Sequence, residues 1–292
     1  MENKEILKKV KLIEIKSKKH VQKHLAGAYH SVFKGKGIEF FDVKEYSIGD
    51  DVKCIDWNVT ARSSSCYIKN YIEERELEIV IAVDISASQQ FGTKIQFKKD
   101  LSIEIAALLA FSALKNHDKV GLFLFSDTIE KIVPPKKGRN HIMRLVRDIF
   151  YHQAINSKTD LKLALSTLQK TFKKKSIIFL ISDFIDEKDF TKPLTILSRK
   201  HDLVAIKISD PLEDLAVDLG YIRLGDSESG DECVINLSNK AFQAKYNKLL
   251  KNQEKTLKTI FSKANIDFLH FKTNIPYITQ LTQFFIRRAK RY

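Results

Sequence analysis

The run EIVIAVDISAS, residues 78–88, constrains this chain more than any other stretch. Its apolar residues, most of them β-branched, follow one another without polar alternation. That is the pattern of a strand covered on both faces, as in a parallel sheet. The run ends in Asp84-Ile85-Ser86-Ala87-Ser88. The carboxyl ends of strands are where open α/β sheets place their ligand sites. One carboxylate and two hydroxyls at every second residue, on a tight loop, are hard oxygen donors of the kind magnesium accepts.

Downstream, strand and helix patterns alternate. The periodicity predicts a buried helix over 96–116, carrying Leu101, Ile105, Leu108, Leu109, Phe111 and Leu114, then a strand at 119–126. A short edge strand at 131–133 is expected to stop before Pro134-Pro135. Helices near 140–152 and 159–172, a strand at 176–182, a helix at 188–200 and a strand at 202–208 follow. Residues 211–238 hold two short strand-like pieces, 221–224 and 233–237, around a polar turn at 225–231. A long helix over 239–264 sets Phe242, Tyr246, Leu249, Leu257 and Ile260 on one face; a last strand at 268–271 and a final helix with Pro276 in its first turn complete the pattern. Strands separated by helices imply right-handed βαβ units and a mainly parallel sheet with helices on both faces.

Upstream the character differs. Ile6, Val10 and Ile13 among lysines predict a short amphipathic helix within 1–24. From Gly27 to Tyr71, glycine punctuation and aromatic or β-branched residues predict a small β-rich subdomain, with a turn at Ile48-Gly49-Asp50-Asp51. Two units are expected: 1–75, the helix and β-rich subdomain, and 76–292, the α/β domain with a C-terminal helix.

Lys and Arg outnumber Asp and Glu by 50 to 36, a net +14, which permits an acidic protein, a nucleic acid or an anionic membrane as partner without choosing among them. Cys54, Cys66 and Cys233 are too scattered for a disulfide framework or a zinc site. No signal-peptide core and no run of membrane-spanning length occurs in the sequence, so a cytoplasmic protein is expected.

Two positions join Asp84, Ser86 and Ser88. Asp183 ends IIFLISD and belongs at the same sheet edge as Asp84, while Thr159 stands at an expected helix start. Together the five predict a Mg2+ (or Mn2+) site built from three loops. Neutral hydroxyl ligands would leave the ion residual positive charge, and an open coordination position would favour a partner's carboxylate. Taken singly, Asp-x-Ser-x-Ser also suits an Asx-type turn and Thr159 an ordinary N-cap.

The order Asp84-x-Ser86-x-Ser88, Thr159, Asp183 is similar to a von Willebrand factor A-type metal site. Residues 27–92 resemble the family catalogued as domain of unknown function fifty-eight, whose members carry a von Willebrand factor A-like domain. The matching segments are Gly35 to Phe40, Tyr46 to Val52, Ile55-Asp56-Trp57, Thr60-Ala61-Arg62, Glu73-Glu74-Arg75, Asp84 to Ser88 and Phe91-Gly92. A looser likeness to the A-type fold continues to about residue 272. The resemblance implies a non-enzymatic adhesion module, a partner or adaptor of a MoxR-type AAA+ ATPase or of other A-domain proteins. It also implies the short soluble form, without the amino-terminal membrane spans of longer members. Thr159 lacks the glycine pair that often precedes it in A-type domains. Within the β-rich segment, Asp50, Asp51 and Asp56 near Arg62, with Trp57 between them, are expected to form an ion-paired corner against the sheet; a partner surface is the alternative.

Other chemistries fit less well. A haloacid-dehalogenase-type enzyme needs a second acid two residues after its aspartate, where this chain has Ser86. FKGKGIEF is not a P-loop. His117 and His201 have no paired zinc-binding context. Nucleic-acid binding through Lys173–Lys175 and Arg287–Arg291 is the main rival to adhesion.

Overall fold

The computed structural model describes residues 38–290, apart from 64, 74–76, 93–95, 153, 155–157, 187, 215–219, 226–231 and 237. The expected N-terminal helix, the Gly35-Lys36-Gly37 motif and the 225–231 turn beyond Gly225 lie outside the described residues. In chain order the elements are β1 (Ile38–Glu45), α1 (Trp57–Thr60), β2 (Tyr67–Glu73), β3 (Glu78–Asp84), α2 (Lys98–Lys115), β4 (Lys119–Phe125) and β5 (Ile129–Lys136). They continue with α3 (Arg139–Tyr151), α4 (Leu161–Thr171), β6 (Ile177–Ser182), α5 (Thr191–Lys200) and β7 (Asp202–Ser209). The last are β8 (Tyr221–Gly225), β9 (Glu232–Asn236), α6 (Lys240–Lys263), β10 (Asp267–Lys272) and α7 (Tyr277–Ala289).

The main sheet has the order β10-β7-β6-β3-β4-β5, parallel throughout except for the antiparallel edge strand β5. The mainly parallel α/β architecture is the one expected from the sequence. In β3, alternate residues serve opposite faces of the sheet. Ile79, Ile81 and Val83 pack under α2, α3 and α7, whereas Val80 and Ala82 pack under α4, α5 and α6. Helix α2 is buried almost all round, with Leu101, Ile105, Leu108 and Phe111 in the core, because it lies between the sheet and α3.

From β3 the chain first builds outward to β4 and β5, then returns to add β6, β7 and β10 on the other side. The connections leaving β3 and β6 therefore diverge to opposite faces, to α2 on one and α5 on the other. A crevice opens between the carboxyl ends of these two strands, the topological switch point at which such sheets bind ligands.

Two departures from the sequence reading have local causes. Strand β5 does not stop at Val133 but runs on through Pro134 and Pro135 to Lys136. An edge strand tolerates proline because one side of its backbone has no ladder to supply. The neighbouring Gly121 makes room: a Cβ there would lie 3.0 Å from the Val133 carbonyl oxygen and 3.1 Å from the Pro135 ring. In α6 the expected apolar stripe is buried only toward its carboxyl end, at Leu257 and Phe261. Leu249 is exposed, and Phe242 stacks on Tyr246 within the same helix.

The residues upstream of the main sheet form the expected β-rich element as an antiparallel pair, β1 and β2. Gly49, at φ 112°, supplies the positive φ of the turn between β1 and α1. The acidic corner is built differently from the expectation. Asp50 pairs with Lys44, Asp51 accepts the Lys53 N–H, and Asp56 caps α1 through the Asn58 and Val59 N–H groups. Asp56 also lies 3.8 Å from the Lys69 ammonium on β2, and Trp57 is 69% exposed. These carboxylates fix their own turns.

Replacing Gly121 by Val should overpack the β4–β5 contact and destabilise the protein by about 1–3 kcal/mol, read as a lower midpoint in urea unfolding.

Candidate metal site at the sheet switch point

Strand β3 delivers Asp84 to the crevice, with the side chain 1% exposed. One carboxylate oxygen, Oδ1, accepts the Ser86 N–H at 3.0 Å; the other, Oδ2, accepts the Ser182 hydroxyl at 2.7 Å. The first of these bonds is the Asx-type turn that bends the chain out of the strand. A 3-10 turn over Ala87–Gln90 follows, bringing the Ser86 and Ser88 hydroxyl oxygens to 3.0 Å from each other. The triplet Asp84, Ser86 and Ser88 is thus gathered within one loop.

Asp183, also 1% exposed, follows directly on β6 beside this loop. Its neighbour Phe184 holds φ 57°, a left-handed conformation that costs a bulky residue of order 1–3 kcal/mol. The bend is held from both sides. The Phe184 N–H donates to Ser182 Oγ at 3.0 Å, and the buried Phe184 ring meets Phe261 edge-on at 5.1 Å. The Ile185 N–H then donates to Asp183 Oδ1 at 3.3 Å.

Thr159 is buried in the loop before α4. The next residue's N–H, that of Asp160, donates to the Ser126 carbonyl at 3.0 Å, just beyond the end of β4. Asp186 joins this loop to the one carrying Asp183 by accepting the Leu161 N–H at 2.7 Å. All five residues therefore lie at one edge of the sheet. Thr159 is not the N-cap of α4; Asp160 is, through the Leu163 N–H.

The electrostatics of the crevice are one-sided at Asp84. Burial first, and the Asp183 carboxylate second, push its carboxyl up to about 7, against the lowering hydrogen bonds from Ser182 and Ser86. Among the described residues no ammonium or guanidinium lies within 4.0 Å of Asp84. A buried carboxylate held against a second carboxylate, with hydroxyls around it, lacks a cation. Among the described residues no three His, Cys, Asp or Glu side chains converge on one point, so the donor set is hydroxyl-rich. It fits a hard divalent ion such as Mg2+ or Mn2+ and does not fit a soft or imidazole-preferring metal.

Three participants escaped the sequence reading. Ser182 had a usable signal: Val83 pairs with Ile181, so the next residues, Asp84 and Ser182, share a face of the sheet. Lys98, at 2% exposure, donates to Asp183 Oδ2 at 3.0 Å and to Glu213 Oε1 at 2.6 Å. Nothing local in the sequence marked either member of that pair. A separate contact lies farther along the sheet, where Ser209 Oγ and His270 Nε2 are 2.7 Å apart and His270 Nδ1 is 3.6 Å from Glu254. Ser209 and His270 lie on paired strands and on one face, which brings their side chains together without a dedicated loop. His201 is structural, accepting the Ser176 N–H through Nδ1 at 3.2 Å.

The switch-point oxygen cluster on a mainly parallel sheet defines an α/β domain of von Willebrand factor A-like layout. The chain belongs to the family described as "Protein of unknown function DUF58", whose model matches residues 42–256. Among curated relatives it is similar to "Uncharacterized protein Rv1480" of Mycobacterium tuberculosis (strain ATCC 25618 / H37Rv), 30% identical over 223 residues, covering 76% of this chain and 70% of the relative. "Uncharacterized protein MAV169" of Mycobacterium avium is 28% identical over 100 residues, 34% of this chain and 59% of the relative. Among solved structures it is similar to BatB from Bacteroides thetaiotaomicron, at 12% identity, 74% of this chain, 100% of that chain and a TM-score of 0.47. Proximal thread matrix protein 1 from the mussel byssus, solved with a zinc-occupied MIDAS motif, gives 13% identity, 73% of this chain, 48% of that chain and a TM-score of 0.42. At these levels residue roles do not transfer.

Because its pKa is raised, folded Asp84 keeps a proton between the ordinary aspartate range and about pH 7, where the unfolded chain has lost it. In chelator, its contribution to stability is therefore present at low pH and declines as pH rises through that window. Asp84→Asn should raise the melting temperature at about pH 8 and flatten its decline from about pH 5, measured by thermal unfolding with chelator present.

Proposed function

We propose that this chain is a non-enzymatic protein-interaction module. It would hold Mg2+ or Mn2+ on Asp84, Ser86, Ser88, Thr159 and Asp183, some directly and some through water, and use the ion to engage a carboxylate on a protein partner. The single observation that carries the reading is the buried Asp84–Asp183 pair, with no cation against Asp84 among the described residues and the Ser86 and Ser88 hydroxyls beside it. Bound there, a divalent ion would supply charge for the two carboxylates and, through its neutral hydroxyl ligands, keep positive charge for a partner. The chain's own residues would orient that contact. Ser182 and the Ser86 N–H fix the Asp84 carboxylate, and the Phe184 bend fixes Asp183.

The surroundings support docking rather than turnover of a small substrate. Phe91 and Phe97 flank the serine loop, Ile185 follows Asp183 by two residues, and Leu212 adjoins Glu213; all four are exposed, by 38–59%. Large apolar side chains around a polar centre are what a protein partner covers. The family resemblance proposes a MoxR-type AAA+ ATPase, or a protein acted on with it, as that partner.

The nucleic-acid alternative has weaker support. Arg288 is buried and paired with Asp202 and Asp267, which removes it from the terminal basic cluster. Lys173, Lys174 and Lys175 are exposed but precede β6, at the sheet edge opposite Asp84.

Calorimetry should show Mg2+ and Mn2+ binding by the wild type and none by Asp84→Ala, with affinity falling about tenfold per pH unit below pH 7 as Asp84 takes up its proton. Capture of a MoxR-type ATPase should be lost in chelator and retained in moderate salt. Chelator-insensitive capture would overturn the ion bridge, and capture of nucleic acid that weakens steeply with salt would favour the rival.

A further inference from the structure

Lys98 stands where neither helix chemistry nor burial favours it. It is the first residue of α2, where the unpaired N–H groups already make the helix end positive and where carboxylates, not ammonium groups, are stabilising. The preceding Phe97 gives that end no side-chain cap. The Lys98 side chain is nevertheless 2% exposed, and a buried ammonium persists only when paired and hydrogen-bonded. Its partners are Asp183 Oδ2 at 3.0 Å and Glu213 Oε1 at 2.6 Å. Neither belongs to its own element: Asp183 follows β6 and Glu213 lies in the 3-10 turn after β7. Its backbone is tied in as well, the Lys98 N–H donating to the Phe91 carbonyl at 3.0 Å.

We infer that Lys98 is a built-in counter-cation of the crevice, and that its ammonium sets how strongly the site takes a divalent ion. The inference rests on the metal-site reading given above. Two features carry it. First, both carboxylates have both oxygens hydrogen-bonded, but only Asp183 has a cation among its donors, the Lys98 ammonium on Oδ2 beside the Ile185 N–H on Oδ1. Asp84, by contrast, has only neutral donors, the Ser86 N–H and the Ser182 hydroxyl. The ion would accordingly be held most directly by Asp84, Ser86 and Ser88, with Asp183 contributing through its field. Second, the ammonium offsets one of the three carboxylates Asp84, Asp183 and Glu213, which lowers the attraction for a dication in a low-dielectric site where each unit charge counts heavily. A site built this way keeps its fold when no metal is bound and binds metal weakly enough for a partner's carboxylate to decide occupancy.

The test titrates Mn2+ alone into the full chain, by calorimetry and by the shift in melting temperature. The variants are Lys98→Met, Glu213→Gln and the double variant Lys98→Met with Asp84→Ala. Lys98→Met should bind Mn2+ at least tenfold more tightly than the wild type and show a larger thermal shift. The gain should vanish in the double variant. Glu213→Gln, which leaves the ammonium to Asp183 alone, should bind more weakly than the wild type. Should Lys98→Met fold only when Mn2+ is present, the ion is replacing the ammonium and the inference stands. Should it fold under neither condition, Glu213→Gln decides: weaker binding supports the role and unchanged affinity overturns it. A folded Lys98→Met with wild-type or weaker affinity overturns the role of Lys98 and leaves the metal site intact. Absence of Mn2+ binding in the wild type and in every variant overturns the metal-site reading itself.

Discussion

Two aspartates at the ends of adjacent parallel strands, both buried and both on the crevice side of the sheet switch, are the constraint around which this molecule is arranged. Like charges removed from water raise each other's energy, and the structure answers asymmetrically. Asp183 receives the Lys98 ammonium and Asp84 receives hydrogen bonds from neutral groups only. The remaining imbalance falls on Asp84, whose carboxyl is pushed up to about 7 by burial and by Asp183. Sites carrying stored electrostatic cost of this kind are commonly functional, and a hard cation is the chemistry that would relieve it.

The sheet also separates charge along its length. Helices α2, α4, α5 and α6, which return between strands, and the final helix α7 end at the strands' amino-terminal edge, and there their last turns carry Lys115, Lys170, Arg199, Lys200, Lys263, Arg287 and Arg288. Cations at helix carboxyl ends complement the helix dipoles. Seven of the chain's 50 lysines and arginines are thereby placed by local helix chemistry on the edge away from Asp84. Arg288 goes further, pairing with Asp202 and Asp267 at the starts of β7 and β10.

What the sequence disclosed depended on how local each cause was. The central strand, its flanking helices and the Asp84-x-Ser86-x-Ser88 loop follow from patterns within a dozen residues, and the positions of Asp84 and Asp183 follow from one parallel pairing. Lys98 and Glu213 did not follow, since 115 residues separate them and their contact exists only because β3, β6 and β7 end at one place. The continuation of β5 through two prolines was likewise hidden, because it depends on the space left by Gly121 on the neighbouring strand. The structural role expected of Asp50, Asp51 and Asp56 is met through Lys44, Lys69 and backbone N–H groups, partners that sequence spacing does not single out, while Trp57 stays exposed.

The most direct test of the central claim is a crystal structure of the full chain grown with Mn2+, with anomalous scattering recorded at the manganese edge. One peak is expected in the crevice, about 2.1 Å from oxygens of Asp84, Ser86 and Ser88, with the Lys98 ammonium still on the Asp183 side. A crevice without an anomalous peak at saturating Mn2+, or a peak elsewhere that leaves Asp84 bonded only to Ser86 and Ser182, would contradict it.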